Sequence, residues 1–206
     1  MAAGKSTAAA LGAWLVFEDE AGFSMTPPTR GTWSVRGCTP VVTVRGRSQR
    51  RFSIAAVTCY KDGERSRLFY RPKHHRDLKT GGRRSFAWTD YRDLLIDAHR
   101  RLGGPIVLVW DNLNVHRDAH LRAFVDGHDW IRCYRLPPYA PELNPVESIW
   151  SLLRRGSQAN TAFNDPTHLI HSLRHGLRRI QYRPTLIDGC LTTTGLTLTT
   201  SRRKPR

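Results

Sequence analysis

The sequence predicts an α/β protein in which helices flank a mixed central sheet, and three observations support this fold class. Two short apolar runs, residues 13–17 and 105–110, are continuous where a half-exposed strand would alternate, which is typical of strands buried on both faces. Strand patterns dominate the first half of the chain. In the second half, strand and helix patterns alternate, which indicates that parallel strands join an antiparallel group.

The first half of the chain predicts a series of strands separated by turn signals. After residues 13–17, the expected strands are 32–36, 41–44, 52–58 and 66–70. Lys61-Asp62-Gly63 predicts a hairpin turn before the last of these. The polar, basic stretch 73–84 contains glycine and predicts a mobile loop. An amphipathic pattern over residues 85–101 then predicts a helix.

The second half predicts two strand–helix units. The strand at 105–110 leads to a helix at about 115–126, and a short strand at 130–136 enters a proline-rich loop. A helix begins near Pro145 and runs to about Arg155, and a last helix is expected over 166–182. Antiparallel strands followed by this alternation are the order of a ribonuclease-H-like fold. We expect residues 13–185 to form this one domain, between a short N-terminal extension (1–12) and a flexible basic tail (186–206).

Composition favours nucleic acid as a partner. The chain of 206 residues is long enough for one well-buried domain, and Lys+Arg 33 against Asp+Glu 17 give a net charge of +16. Arginine outnumbers lysine, and its planar fork grips phosphate oxygens. A basic surface that merely reflects arginine-rich coding is the alternative. The sequence has no 18-residue apolar stretch, so no membrane span is predicted. The four cysteines form no C-x-x-C pair, which predicts reduced thiols in a cytosolic protein.

Three acids stand where secondary-structure elements are expected to meet. Asp19 and Asp111 follow the two buried apolar runs, and Glu147 lies in the first turn of the helix that begins near Pro145. Carboxylates at the ends of adjacent central strands converge at one edge of a sheet. Three converging carboxylates repel one another unless cations neutralise them, and hard oxygen ligands favour Mg²⁺ or Mn²⁺. The sequence therefore predicts a divalent-metal site.

Three sequence blocks carry a resemblance to a known family. They are Asp-Glu-Ala-Gly-Phe-Ser (19–24), Trp-Asp-Asn (110–112) with His116 shortly after, and Pro-Pro-Tyr-Ala-Pro-Glu-Leu-Asn-Pro-Val-Glu (137–147). The chain resembles the catalytic domain of DDE-type transposases, in particular the bacterial insertion-sequence branch related to the mariner elements. Between Asp111 and Glu147 lie 35 residues, near the spacing of that branch. The resemblance runs from about Trp14 to about Arg155.

The resemblance implies a chemistry for these residues. Asp19, Asp111 and Glu147 are expected to be catalytic and to bind two Mg²⁺ ions, with Mn²⁺ as a substitute. The implied reaction is nicking of DNA at a transposon end, followed by attack of the freed 3′-hydroxyl on target DNA. Asn112, His116 and Asn144 are expected to position metal ligands or DNA. A turn role for Asn112, and a solvated or phosphate-contacting role for His116, remain open alternatives.

The resemblance also implies partners. They are double-stranded DNA (transposon ends and target) and a second copy of the chain in a homodimer assembled on DNA. The implied location is the bacterial cytoplasm, in association with the nucleoid. Family members usually carry an N-terminal helix-turn-helix region, whereas about thirteen residues precede the first strand here. We expect either that this region is encoded separately, as a separate domain, or that the chain is a catalytic fragment of a decayed element. Two alternative functions stay open, a non-catalytic DNA-binding remnant of a decayed element and another ribonuclease-H-like nuclease.

Four further residues near these acids are candidates for a role in the site. Glu18 and Glu20 flank Asp19, and because strand side chains alternate we expect them to point away from its face, either supporting the site or solvated. Trp150 is expected to pack in the core beneath the Glu147 helix, with base stacking as the alternative. Tyr139 in the proline-rich loop is a candidate lid residue.

Overall fold

The protein has a mixed five-stranded sheet, seen in a computed structural model that describes residues 2–44, 51–74 and 86–197. The strands are β1 (Trp14–Ser24), β2 (Arg51–Tyr60), β3 (Arg67–His74), β4 (Ile106–Trp110) and β5 (Ile131–Arg135). Their order across the sheet is β3-β2-β1-β4-β5. The first three strands pair antiparallel, and β4 runs parallel to both β1 and β5. The predicted α/β class with a mixed central sheet is confirmed.

Within the described residues, six α-helices cover the two faces of the sheet. They are α1 (Ala2–Ala10), α2 (Trp88–Leu102), α3 (Ala119–Asp126), α4 (Pro145–Leu153), α5 (Pro166–Gln181) and α6 (Pro184–Thr192). Leu15 and Phe17 of β1 pack in a core with α1, α4, α5 and α6, whereas Trp14 and Val16 pack in a second core with α2 and α3. Two cores explain why the central strands are apolar without alternation. None of the described helices is long and apolar enough to cross a membrane.

Three helices begin with the same capping chemistry. Asp118, Asn144 and Asp165 each accept a hydrogen bond from a backbone N–H in the first turn of α3, α4 and α5 respectively. In α4 and α5 a proline follows the cap, where its fixed φ suits the helix and its missing N–H has no partner to lose. These local signals are why the sequence placed the starts of α4 and α5 well. The helix expected from about residue 115 begins instead at Ala119, because residues 114–117 form a separate 3-10 helix.

The first strand is longer than expected. Its apolar run ends at residue 17, but β1 continues to Ser24 because it pairs with β2 along its whole length, from Leu15 opposite Tyr60 to Ser24 opposite Arg51. The expectation that Asp19 stands at the end of a strand is therefore wrong. Asp19 lies within β1, and backbone hydrogen bonds to β2 hold the polar residues there in extended conformation.

Two strands expected between β1 and β2 do not form. Residues 32–36 and 41–44 have no strand partner among the described residues and lie in an exposed connection. Trp33 is fully exposed, and Val35 and Val41 are also largely exposed. Their β-branched and aromatic residues favour a strand only where a neighbouring strand can pair with them. The basic residues 45–50 lie outside the described residues.

Both chain ends differ from expectation where the structure describes them. The flexible tail expected from residue 186 is replaced, up to Thr192, by helix α6, whose Ile187, Cys190 and Leu191 are buried. At the other end, residues 2–10 form α1, and Thr7 Oγ1 lies 2.7 Å from the hydroxyl of Tyr134 on β5. Packing on the sheet stabilises two helices whose sequences predict none. The rest of the expected tail (198–206) and residues 75–84 of the expected mobile loop lie outside the described residues.

Candidate active site

Asp19 is a buried carboxylate on the β1 face that looks toward α4. Its side chain accepts a hydrogen bond at Oδ2 from the indole Nε1 of Trp150, 2.7 Å away. Burial raises the pKa of Asp19 to about 8, and the negative charges of Glu18 and Glu147 add to this effect against the opposing hydrogen bond. Asp19 therefore holds a proton at neutral pH until a positive charge nearby displaces it.

Asp111 directly follows the end of β4, the parallel strand that neighbours β1. Because Phe17 pairs with Val109, the residues that follow on β1 and β4 come out side by side. The backbone N–H of Leu113 donates to Asp111 Oδ1 at 2.9 Å, and His116 Nδ1 lies 2.9 Å from the same oxygen. Partial burial raises the pKa of Asp111, but the contacts with His116 and Leu113 outweigh it, and the net shift is downward. Asp111 is therefore ionised where Asp19 is not.

Glu147 is placed by the start of α4, which Asn144 joins to β1. The Asn144 side chain caps the helix by accepting from the N–H of Val146 at 3.1 Å, and its amide nitrogen donates to the backbone oxygen of Glu18 at 2.9 Å. Asn144 is only 4% exposed, so both bonds are shielded from water. One side chain thus sets both the beginning of α4 and its distance from the strand that carries Asp19.

The three acids line one open cleft of about 400 Å³. Its other walls come from the end of β4 and from the proline-rich loop, including Asn112, Leu113, Arg117, Leu136, Pro137, Pro138, Tyr139, Ala140, Pro141 and Asn144. Within the part of the chain that the structure describes, no three His, Cys, Asp or Glu side chains are gathered closely enough to hold a metal ion. The carboxylates of the cleft are nevertheless hard oxygen donors of the kind that Mg²⁺ and Mn²⁺ prefer, and their side chains would have to rotate to bind one ion together.

His116 lies beneath the cleft, between two carboxylates. Its Nε2 is 3.0 Å from Glu18 Oε2, and its ring stacks on Trp110 with centroids 4.4 Å apart. The Nε2–Oε2 pair is close enough for an ionic contact but lacks the alignment of a hydrogen bond. Burial lowers the pKa of His116, but the contacts with Asp111 and Glu18 raise it by more than burial lowers it. The resulting pKa is about 10. The ring is therefore a cation at neutral pH.

Glu18 and Glu20 occupy the face of β1 opposite Asp19, as the alternation predicts. Glu18 is buried, and Glu20 accepts a hydrogen bond from the Tyr91 hydroxyl at 2.7 Å. The sequence left open whether Glu18 is solvated. A charged residue inside a strand buried on both faces is the signal that could have identified it as part of the site.

Of the remaining candidate residues, Asn112 and Trp150 stabilise the structure around the cleft, and Tyr139 is exposed to solvent. Asn112 donates from its side chain to the backbone oxygen of Leu136 at 2.9 Å, which fixes the start of the proline-rich loop. Trp150 is buried and packs edge-on to Phe23, so base stacking is excluded in this conformation. Tyr139 is fully exposed on the rim of the cleft and has a positive φ of 58°, an uncommon conformation for a residue with a bulky side chain.

Comparisons with known proteins agree with this architecture. Residues 14–170 match the family of DDE superfamily endonucleases. A Mos1 transposase paired-end complex with the left transposon end aligns with a TM-score of 0.54 at 15% identity, covering 89% of this chain and 56% of that chain. A mariner Mos1 paired-end complex with Mg gives 0.55 at 16% identity, with 89% and 56% covered. These alignments confirm the ribonuclease-H-like fold.

A curated relative is similar over a shorter stretch. The uncharacterized protein y4pE/y4sA of Sinorhizobium fredii (strain NBRC 101917 / NGR234) is 36% identical over 63 residues, which cover 31% of this chain and 44% of that protein. The chain thus spans about half the length of the relatives it matches. Because the family match extends over most of the chain, from residue 14 to residue 170 and through all three acids, the chain belongs to the DDE superfamily endonucleases.

Proposed function

We propose that this chain is the catalytic domain of a transposase that nicks DNA and transfers the freed strand with the help of divalent metal ions. The observation that carries the proposal is the shared cleft of Asp19, Asp111 and Glu147, reached from two parallel strands and one capped helix. Family membership supports the endonuclease chemistry, and the Mos1 complexes of similar fold contain a transposon end or Mg.

The three acids would hold two Mg²⁺ ions, or Mn²⁺ in their place. When bound, the ions activate the attacking oxygen and stabilise the leaving oxygen of an in-line phosphoryl transfer. Asp19 would release its proton when a divalent ion binds, because a nearby cation favours the carboxylate that burial disfavours. Asp111 is already ionised, with His116 and the Leu113 amide restraining one oxygen. Glu147 is carried on a helix whose first turn Asn144 fixes.

Both proposed steps use the same side chains. Water attacks the phosphodiester at the element end and breaks its P–O3′ bond, which leaves a 5′-phosphate and a free 3′-hydroxyl. This hydroxyl then attacks a phosphodiester of the target and displaces the 3′-oxygen of the target strand. Only the nucleophile differs between the steps, so one set of carboxylates serves both. We propose that Asn112, His116 and Asn144 act by positioning, Asn112 through the proline-rich loop, His116 through Asp111, and Asn144 through α4.

The proposed partner is double-stranded DNA, both transposon ends and target. The net charge of +16 attracts a polyanion, and Arg117 lies on the wall of the cleft where a phosphate backbone would pass. Binding through such contacts weakens steeply with salt. We further propose a homodimer on DNA, a separate helix-turn-helix domain for end recognition, and a bacterial cytoplasmic setting with access to the nucleoid.

A plasmid-nicking assay tests the proposal. Wild-type protein should nick supercoiled DNA only with Mg²⁺ or Mn²⁺, and Asp19→Asn, Asp111→Asn and Glu147→Gln should each lower the rate by about a thousandfold, since each removes several kcal/mol of transition-state stabilisation. Glu142→Gln changes an exposed acid of the proline-rich loop and should leave the rate unchanged. Nicking that needs no metal, or that survives any of the three substitutions, would refute the assignment. Salt-sensitive DNA binding without nicking would instead indicate a DNA-binding remnant.

A further inference from the structure

Glu18 is a carboxylate enclosed in the middle of the sheet. It is 1% exposed, and neither of its carboxylate oxygens has a hydrogen-bond partner among the described residues. An isolated buried carboxylate is costly unless an opposite charge lies beside it. The nearest such group is His116, whose Nε2 lies 3.0 Å from Glu18 Oε2. The burial of Glu18 is therefore tolerated because of His116.

His116 connects Glu18 to the active-site cleft. While Nε2 faces Glu18 on β1, Nδ1 lies 2.9 Å from Oδ1 of Asp111 at the end of β4. The ring cannot turn freely, because it stacks on Trp110 and meets the edge of Tyr91 with centroids 5.0 Å apart. Two acids on neighbouring strands are thus joined through one ring of fixed orientation.

The orientation of Asp111 follows from this arrangement. Its Oδ1 is restrained from two directions, by His116 and by the N–H of Leu113 at 2.9 Å. Its Oδ2 has no hydrogen bond within the described part of the chain and is the oxygen left for another ligand. We propose that Glu18 is a positioning residue, which acts through His116 to orient the Asp111 carboxylate with one oxygen available to a divalent cation. The inference rests on the proposed metal-dependent function.

Glu20 offers a matched control. It lies two residues further along β1 on the same face, but it accepts its hydrogen bond from the Tyr91 hydroxyl and has no contact with His116 or Asp111 in the described structure. Glu18→Gln and Glu20→Gln make the same replacement, a carboxyl group by an amide, two residues apart on one face of β1. The effect of losing a carboxyl group on this face of β1 is common to both variants. A difference in behaviour between the two variants therefore reports the contact between Glu18 and His116.

The first measurement is the dissociation constant for Mn²⁺, obtained from the electron paramagnetic resonance signal of free Mn²⁺ with the full chain. Glu18→Gln should weaken binding by about tenfold, as loss of a group that orients a metal ligand commonly does, and Glu20→Gln should stay close to wild type. If Glu18 acts through His116, the double variant Glu18→Gln/His116→Gln should bind Mn²⁺ no more weakly than His116→Gln alone. Equal affinities of the Glu18 and Glu20 variants, or independent effects of Glu18 and His116, would overturn the proposal.

The second measurement needs neither metal nor the His116 variant. The backbone amide resonance of Leu113 reports its hydrogen bond to Asp111 Oδ1, and it should shift in metal-free Glu18→Gln protein but not in Glu20→Gln protein. An unchanged Leu113 resonance in Glu18→Gln refutes the positioning role. If wild-type protein binds no Mn²⁺, the proposed function fails while the Leu113 resonance still decides the role of Glu18.

Discussion

The two faces of β1 place similar acids in different surroundings. On one face, Asp19 is flanked along the strand by Phe17 and Ala21, lies against α4, accepts a hydrogen bond from an indole and opens into the cleft. On the other face, Glu18 follows Val16 and is closed off beside His116, and Glu20 receives the hydroxyl of a tyrosine on α2.

The difference shows how a strand separates reactivity from support. Successive side chains point to opposite faces, so neighbouring acids in one sequence meet two helical layers with different side chains. The α4 layer gives Asp19 a single neutral donor and an open side, which leaves room for a cation. On the other face, Glu18 and Glu20 already have partners, His116 and the Tyr91 hydroxyl respectively. A reactive acid and its support can therefore be adjacent in the chain.

The largest expected effect concerns the pH dependence of Asp19. Because its pKa is about 8 in the folded protein against 3.8 ordinarily, the folded state binds a proton that the unfolded chain releases between these values. The free energy of unfolding should therefore fall as pH rises from about 4 to about 8. Asp19→Asn lacks this pH-dependent contribution. Its free energy of unfolding should be higher than that of wild type by on the order of a few kcal/mol at about pH 9, but not at about pH 4.

Urea unfolding of both proteins at the two pH values measures this difference. Contributions from His116 and Glu18 occur in both proteins and largely cancel in the comparison. A gap between wild type and Asp19→Asn that does not change with pH would mean that Asp19 titrates normally.

Removal of the indole donor should have the next largest effect. Trp150→Phe leaves Asp19 Oδ2 without its hydrogen bond at 2.7 Å and leaves space beside Phe23. We expect a loss of about 3 kcal/mol in unfolding free energy and slower nicking, because a buried acceptor loses its donor. Trp130→Phe, at a half-buried position away from the cleft, is the control for nicking. Nicking at the wild-type rate in Trp150→Phe would show that Asp19 does not need this donor.

A third prediction separates the two roles of Asn144. Asn144→Ala removes both the helix cap and the hydrogen bond to the backbone oxygen of Glu18. The free energy of unfolding should fall by about 2 kcal/mol. Asn144→Ser keeps a capping oxygen but cannot reach β1 in the same way, and should recover about half of the loss in thermal or urea unfolding. Equal losses in the two variants would assign the whole effect to the bond with β1.

The smallest effect is expected on the supporting face. Tyr91→Phe removes only the hydroxyl that donates to Glu20 at 2.7 Å, with an expected loss of about 1 kcal/mol in unfolding free energy. The nicking rate should stay near that of wild type, since Glu20 contacts neither Asp111 nor His116 in the described structure. A strong loss of nicking would place Glu20 in the machinery of the site and weaken the contrast between the faces.

Local sequence patterns were enough to predict which residues could form the site. Continuous apolar runs identified the central strands, and the order of elements indicated the fold. Pro145 after Asn144 specified where α4 begins, and that start placed Glu147 in the first turn. These features could be predicted because capping, proline geometry and burial patterns act within a few residues of the chain.

The arrangement of those residues depends on contacts between segments that are distant in the chain. The bond from Trp150 to Asp19 spans 131 positions, and the bond from Asn144 to Glu18 spans 126. Pairing with β2 extended β1 beyond its apolar run, and the absence of a described partner left residues 32–44 without a strand. The burial of Glu18 depends on His116 in the same way. Such contacts join segments far apart in the chain, so no local pattern specifies them, and the surroundings of each acid emerge only when the sheet is assembled.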